Sequence, residues 1–89
     1  MRASRKPVDD EYVEDGQCAI LVDQEIVVLS PLATVVWQLL DGGAKATDQL
    51  VPSLVATFGS PEGSSAEELT RTCLEQLADQ GLVTLHTRD

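Results

Sequence analysis

The feature that most constrains the fold is a complete helix that begins directly behind a strand-forming run. Residues 25–30 read EIVVLS, and residues 31–43 read PLATVVWQLLDGG. Ser30 suits the N-cap position, and Pro31 suits the first helical position, where its missing N–H costs no hydrogen bond. Apolar residues then recur at the spacing of one helical face, and Gly42 is the predicted left-handed stop. A strand and a helix must therefore meet with almost no linker between them.

The core has to be built mainly from Leu and Val, because the chain has only three aromatic residues, Tyr12, Trp37 and Phe58. Trp37 flanks the apolar stripe of the predicted helix, so we expect it to pack at the edge of the core. With 89 residues, of which 43% are hydrophobic, the chain suits one folded domain of ordinary globular composition.

A β-hairpin is predicted before this helix. Residues 18–22 (CAILV) and 25–30 are rich in strand-forming residues, and only positions 23–24 lie between them, a linker length that selects a hairpin. Residues 12–13 are expected to form a short edge strand. The strand at 25–30 does not alternate, so it presents apolar side chains to both faces of a sheet that can bury only one. An added peptide strand, the chain's own tail or a second copy would each cover the spare face.

Two more helices follow in the sequence. The first is predicted at residues 47–59, with Thr47 as its N-cap and with Pro52 removing a backbone bond near its start. The second is predicted at residues 65–81, where Ser65 and Glu68 form a capping-box pattern. Strands come first and helices second, which is typical of an α+β domain.

The ends of the chain are expected to contribute less. Residues 1–7 are predicted to be a disordered tail, and residues 8–89 to form the domain. Residues 82–87 are expected to dock as a short extended segment.

The charge balance argues against nucleic acid as a partner. Fifteen acidic side chains stand against six basic ones, for a net charge of −9, and such a surface repels phosphate backbones. No apolar stretch approaches the ~20 residues of a membrane span. The basic start of the chain is followed by acidic residues and not by an apolar segment, so it does not read as a signal peptide. We therefore expect no membrane partner and a cytoplasmic location.

Signals for catalysis, metals or cofactors are sparse. His86 is the only histidine, so no Ser–His–acid or Cys–His set can be assembled without this near-terminal residue. Cys18 and Cys73 lack metal-ligand spacing and lie in apolar runs, so buried free thiols are expected. There is no glycine-rich phosphate loop, since the glycines at 42–43 end a helix. The chain is predicted not to be an enzyme and to use no cofactor or metal.

In their order and spacing, these segments resemble the PqqD-like family, the peptide-recognition domains that serve enzymes of ribosomal peptide maturation. Within residues 18–83, AILVD, EIVVLSPLATVVWQLLDGG, ATDQLVPSLVATFG and LEQLADQGLV are similar to its successive blocks. The most specific part is Leu29-Ser30 followed by the ending WQLLDG at 37–42. The chain departs from the family at Ser30, where Asn is usual, and at Pro52.

The resemblance implies a winged helix-turn-helix-like fold, with a three-stranded antiparallel sheet followed by three helices. It also implies that the leader of a precursor peptide pairs with the third strand and lies against the third helix. The implied peptide-binding residues are Glu25, Ile26, Val27, Val28, Leu29, Leu69, Thr72 and Gln76. The opposite flank of the helix, Arg71 with Glu67, is the competing assignment.

The function implied is that of a non-catalytic, stand-alone peptide chaperone. It would bind the leader as an added β-strand and deliver it to a separate leader peptidase, as in lasso-peptide systems, or to a modifying enzyme. Whether the chain is a monomer or a homodimer is left open. The alternatives are a winged-helix transcriptional regulator, which needs a basic third helix, and an acyl or peptidyl carrier protein, which needs a serine presented differently from Ser30.

Overall fold

The computed structural model describes residues 1–86 of the chain. The strands and helices, in chain order, are β1 (Arg2–Arg5), β2 (Asp10–Glu14), β3 (Gln17–Val22), β4 (Glu25–Val28), α1 (Pro31–Leu39), β5 (Lys45–Ala46), α2 (Thr47–Phe58), α3 (Ala66–Asp79) and β6 (Val83–His86). The predicted α+β class, with a three-stranded antiparallel sheet followed by three helices, is confirmed. The winged-helix label stays a prediction.

Strands β2, β3 and β4 form an antiparallel meander whose two turns contain two residues each. All four turn residues have positive φ: 54° and 77° at positions 15–16, and 52° and 67° at positions 23–24. Positive φ at both central residues is the mark of the type I′ turn, whose twist matches that of the flanking strands. The predicted hairpin and the predicted edge strand around residues 12–13 are both confirmed.

The prediction of a disordered tail over residues 1–7 is wrong. Residues Arg2–Arg5 form β1, which pairs with β6 from Arg2↔His86 to Arg5↔Val83 and also with β5, in the order β5-β1-β6. Ala3 is completely buried, because its methyl group points from β1 into the core. Residues 83–86 are extended, as predicted, but as a strand of this second sheet. The folded unit therefore begins at β1 and not at residue 8.

Helix α1 begins as predicted and ends differently. The Ser30 hydroxyl accepts a hydrogen bond from the N–H of Ala33 at 3.1 Å, and Pro31 is the first helical residue. Gly42 is not the left-handed stop. The helix tightens into a 3₁₀ turn over Leu40–Gly42, and Gly43 takes the positive φ of 127°. The tighter turn satisfies late carbonyl groups, which moves the stop one residue along the chain.

Trp37 lies in the centre of the core and not at its edge, which corrects the prediction from the helical stripe. Its side chain is 0% exposed, although its indole N–H still has a partner, Oε1 of Glu11, at 3.2 Å. A buried indole normally needs such a partner. The core has one apolar cluster, made of Ala3, Cys18, Ile20, Leu29, Ala33, Val36, Trp37, Leu40, Leu50, Leu54, Cys73, Leu74, Leu77, Leu82 and Val83.

The guanidinium group of Arg5 ties β1 and β2 to the end of α1. Its Nε and Nη2 atoms donate to the carbonyl oxygen of Trp37 at 2.9 and 2.7 Å. Its Nη1 lies 3.1 Å from Glu11 Oε1 and 3.5 Å from Asp41 Oδ1, and the group stacks 4.1 Å from the centroid of the Trp37 ring. Arg5 therefore adds two charge-assisted hydrogen bonds to a carbonyl group in the last turn of α1, which also accepts from the N–H of Leu40.

Helix α2 begins one residue earlier than a Thr47 N-cap would place it. Ala46 is the N-cap, and its N–H donates to Oε1 of Gln49 at 2.7 Å, while Thr47 is buried as the first helical residue. Pro52 lies inside the helix, where it has no N–H to donate to the carbonyl of residue 48. Both positions are exposed, so water can replace that bond. Gly59 ends the helix, as predicted.

Helix α3 follows its predicted bounds. The Ser65 hydroxyl accepts a hydrogen bond from the N–H of Glu68 at 3.0 Å, and Gly81, with a φ of 81°, follows the helix end. The helix buries Thr70, Cys73, Leu74 and Leu77. Leu69 is not part of the buried stripe.

Replacing Leu40 by Ala should destabilise the fold more than replacing its neighbour Leu39. Leu40 is fully buried, so we expect Leu40→Ala to lower the free energy of unfolding by about 2–5 kcal/mol. Leu39 is half-buried, and Leu39→Ala should cost roughly half as much, because less apolar surface is lost. Urea denaturation followed by Trp37 fluorescence measures both. Equal losses in the two variants would contradict the difference in burial between Leu40 and Leu39.

Removing the charge of Arg5 should also destabilise the protein. We expect Arg5→Met to lower the free energy of unfolding by about 1.5–3 kcal/mol, because the Trp37 carbonyl loses two charge-assisted hydrogen bonds. The matched control is Arg2→Met, where the exposed side chain makes one long contact of 3.4 Å with the Ala44 carbonyl, and the expected change is about 0.5 kcal/mol or less. Indistinguishable unfolding curves for the two variants would contradict the role given to Arg5.

Candidate peptide-binding site

Strand β4 lies at the edge of its sheet. The sheet order is β2-β3-β4, and no other strand among residues 1–86 pairs with the far side of β4. The N–H of Leu29 donates to the carbonyl of Cys18 at 2.8 Å, so the backbone groups of Leu29 face β3. This bond fixes which residues of β4 direct their backbone groups toward β3. In an antiparallel ladder the direction of the backbone N–H and C=O groups alternates from residue to residue. The backbone groups of Val27 therefore bond to β3, whereas those of Ile26 and Val28 point away from the sheet. β4 therefore presents free main-chain donors and acceptors.

The side chains of β4 differ between its two faces. Ile26 is 72% exposed and Val28 is 63% exposed, whereas Val27 is half-buried against the core and Leu29, just beyond the strand, is buried. Glu25 is exposed at the start of the strand. The predicted spare apolar face is therefore present, and residues 1–86 do not cover it.

A cleft of about 400 Å³ opens between the end of β4 and the C-terminal half of α3. It brings Val28, Leu29 and Gln76 together, three of the residues that the resemblance implied. The full lining is Val28, Leu29, Ser30, Ala33, Cys73, Gln76, Leu77, Asp79 and Gln80. The lining residues that the sequence analysis missed on α3 and its C-cap lie at 73, 77, 79 and 80. All of these except 79 share one helical face with residue 76, at the spacing i, i+3, i+4 and i+7. This helical spacing is visible in the sequence and could have been used to predict that these residues share one face.

The other implied residues on α3 lie elsewhere. Leu69 is 42% exposed and lines a second, apolar cleft of about 230 Å³, between α3 and the end of α2. The lining of this second cleft is Leu32, Leu54, Val55, Phe58, Gly59, Pro61, Ala66, Leu69 and Thr70. Thr72 is exposed and lines neither cleft. On the competing flank, Arg71 and Glu67 pair with each other at 3.3 Å and also line neither cleft.

The thiol of Cys73 forms part of the wall of the 400 Å³ cleft but is chemically quiet. Burial raises the pKa of Cys73 to about 11, so the thiolate is scarce at neutral pH. Burial, followed by the charge of Glu11, also raises the pKa of Cys18. Both cysteines are free and buried, as predicted. The cleft is therefore suited to holding a ligand and offers no activated thiol nucleophile.

Neither a metal site nor a membrane span is found in the described part of the chain. Across residues 1–86, no group of three or more His, Cys, Asp or Glu side chains is arranged to hold a metal ion. In the same range, no helix is long and apolar enough to cross a membrane.

An exposed sheet edge can accept an extended peptide as an added strand, and here such an edge lies beside a cleft that a helix lines. The family model described as "Coenzyme PQQ synthesis protein D (PqqD)" matches residues 13–83, which is most of the chain. The chain therefore belongs to the PqqD family, and the family resemblance seen in the sequence is confirmed. Neither the search of curated proteins nor the search of solved structures gave a significant match.

Membership of this family indicates the general role of the chain. PqqD-family proteins are non-catalytic accessory proteins that bind precursor peptides and work with the enzymes of peptide-derived natural-product biosynthesis. The open edge of β4 agrees with such a role.

The raised pKa of Cys73 predicts a pH dependence of stability. The folded-state pKa of about 11 lies above the ordinary value of 9.0, so between these values the unfolded chain has released a proton that the folded chain keeps. The stabilising contribution of this thiol should therefore be fully present below pH 9, and the free energy of unfolding should fall as the pH rises from 9 toward 11. Urea denaturation of wild type and Cys73→Ala at pH 8 to 10.5, under reducing conditions, measures this. Parallel pH profiles for the two proteins would contradict the shift.

Proposed function

We propose that the chain is a non-catalytic peptide chaperone. It binds the leader of a ribosomally synthesised precursor as an added strand on β4 and delivers it to a separate maturation enzyme, either a leader peptidase or a modifying enzyme. The observation that carries this proposal is the outward-facing backbone of Ile26 and Val28, placed beside a cleft that Leu29 and Gln76 line.

The added strand would be short, so its side chains have to supply the selectivity. The pairs within this sheet are antiparallel, and an antiparallel leader continues the same ladder. A leader segment of six residues spans about 20 Å. Such an interface is small, so affinity depends on one or two anchored side chains and not on buried area. The 400 Å³ cleft is the place for the first anchor.

The geometry favours one flank of α3 over the other. Gln76 and Gln80 border the cleft beside β4, and their amide groups can donate to and accept from a peptide backbone. Arg71 and Glu67 already satisfy each other on the opposite flank. We therefore place the leader on the Gln76 side of the helix.

The apolar cleft at Leu69 offers a place for a second anchor. Leu69 and Cys73 are one turn apart on α3, and Leu32 and Ala33 are consecutive on α1, so the two clefts adjoin. In an antiparallel arrangement the upstream part of the leader lies nearest Leu29. An apolar leader side chain upstream of the paired strand would then enter the Leu69 cleft.

The recipient and location of the complex are also proposals. The WQLLDG ending at residues 37–42 inclines the assignment toward a lasso-peptide system, in which the recipient is a leader peptidase. The proposed compartment is the cytoplasm, where precursor peptides are made. A transcriptional regulator is disfavoured because α3 exposes Glu67, Glu68 and Glu75 where DNA binding needs cations.

Hydrogen exchange tests the added strand residue by residue. In the free protein, the outward-facing amides of Ile26 and Val28 should exchange fast, and the inward-facing amides of Val27 and Leu29 should exchange slowly. Saturating leader peptide, taken from the precursor encoded beside this gene, should slow exchange at Ile26 and Val28 at least tenfold. The inward-facing amides are the internal control. Leader binding that leaves Ile26 and Val28 unprotected would rule out strand addition on β4.

Substitutions on α3 test which flank holds the leader. We expect Gln76→Asp to raise the Kd of the leader at least tenfold, because a carboxylate cannot donate to a peptide carbonyl as the amide can, and it adds a second negative charge beside Asp79. Arg71→Ala, on the opposite flank, should change the Kd less than twofold. Fluorescence anisotropy with a labelled leader gives both values, and circular dichroism checks the fold. The reverse order of effects would move the site to the Arg71 flank.

A further inference from the structure

The side of the β2-β3-β4 sheet that faces away from the core carries a contiguous apolar surface. Directly paired residues share a face, so Tyr12, Ala19 and Val28 form one row across the sheet, and Leu21 and Ile26 form the next. We call these five residues the outer sheet face. Tyr12 is 64% exposed and Leu21 is 37% exposed, in addition to the exposed Ile26 and Val28.

The segment that forms this sheet is strongly acidic and contains no basic residue. Residues 9–25 contain seven acidic side chains, at positions 9, 10, 11, 14, 15, 23 and 25, and the sequence has no Lys or Arg from 7 to 44. Asp10 lies in the same row as Leu21 and Ile26, and Glu14 lies on the same face of β2. The two carboxylates are four residues apart along the strand, which is a separation of about 13 Å.

Charge decides between the two kinds of protein that could cover such a face. A second copy of the chain would bring two surfaces of the same sign together, each from a molecule with a net charge of −9. A partner with an apolar ridge flanked by Lys or Arg would bury the same five side chains and gain attraction at Asp10 and Glu14. The complementary partner is therefore the one that the surface fits.

We propose that the outer sheet face is the docking surface for the maturation enzyme, which contacts it through an apolar ridge flanked by basic residues. This inference rests on the proposed function, because it concerns the delivery step. A leader added to β4 becomes a fourth strand of the same sheet, and its outward side chains extend the two rows that end at Ile26 and Val28. The enzyme then contacts carrier and leader together, and it distinguishes the loaded carrier from the empty one.

Paired substitutions on β2 and β3 test the apolar part of this surface. The probe is the maturation enzyme of the same biosynthetic system, a leader peptidase or a modifying enzyme, purified and immobilised, with the leader-saturated carrier flowed over it. Tyr12→Ser combined with Leu21→Ser should weaken enzyme binding at least tenfold while leader affinity stays unchanged. The matched control is Val13→Ser, which also removes an exposed apolar side chain from β2, but from the opposite face.

A second pair of variants tests the acidic flank. Asp10→Asn with Glu14→Gln should slow association with the enzyme several-fold at low salt, and this difference should vanish near 1 M salt, where the Debye length is about 3 Å. Glu62→Gln with Glu75→Gln removes the same charge from exposed positions off the sheet and should leave the rate unchanged.

The outcomes separate this proposal from the proposed function. Enzyme binding that neither set of outer-face variants alters would overturn the docking surface, and leader binding in the same samples would leave the chaperone role intact. Sedimentation velocity showing a dimer that the Tyr12→Ser, Leu21→Ser variant dissociates would assign the face to a second copy instead. Failure of the wild type to bind leader, with enzyme binding that still depends on Tyr12 and Leu21, would overturn the chaperone role and support the docking surface.

Discussion

The bonds from the Arg5 guanidinium group to the Trp37 carbonyl oxygen fix how the two sheets meet the first helix. The cation comes from β1, its second acceptor Glu11 comes from β2, and the carbonyl belongs to the last turn of α1. The same Glu11 oxygen accepts from the Trp37 indole, so the largest core side chain is held at both its backbone and its ring. One arginine therefore sets the position of a helix relative to both sheets.

The position of α1 in turn sets the candidate binding site. Strand β4 ends at Val28 and α1 begins at Pro31, so Leu29 and Ser30 are the whole connection between them. Leu29 is buried and Ser30 caps the helix, and both line the cleft that faces Gln76 on α3. The open edge and the cleft wall are thus two parts of one rigid turn, positioned by the core behind it.

Local signals made much of this fold predictable from sequence, and non-local pairing explains most of what was missed. Caps at Ser30 and Ser65 mark helix starts because a hydroxyl next to free backbone N–H groups acts over a few residues. The run RASR carries no strand pattern, and its partner β6 is about 80 residues away, so nothing local indicates β1. Of the implied site, Val28, Leu29 and Gln76 meet in one cleft, whereas Leu69 lies in another, since a helical stripe does not show which neighbour each turn contacts.

The short connection between β4 and α1 has a consequence for how a ligand would be held and released. With Leu29 bonded to Cys18 and Ser30 capping the helix, the cleft wall is ordered without a ligand, so the protein would lose little conformational freedom on binding at the proposed site. A disordered peptide would then bear nearly all of the ordering cost, about 1–2 kcal/mol for each residue fixed. For a six-residue segment that cost offsets most of the contact energy of a small interface. The arrangement would therefore favour a specific complex with a short lifetime, as the delivery step of the proposed function requires.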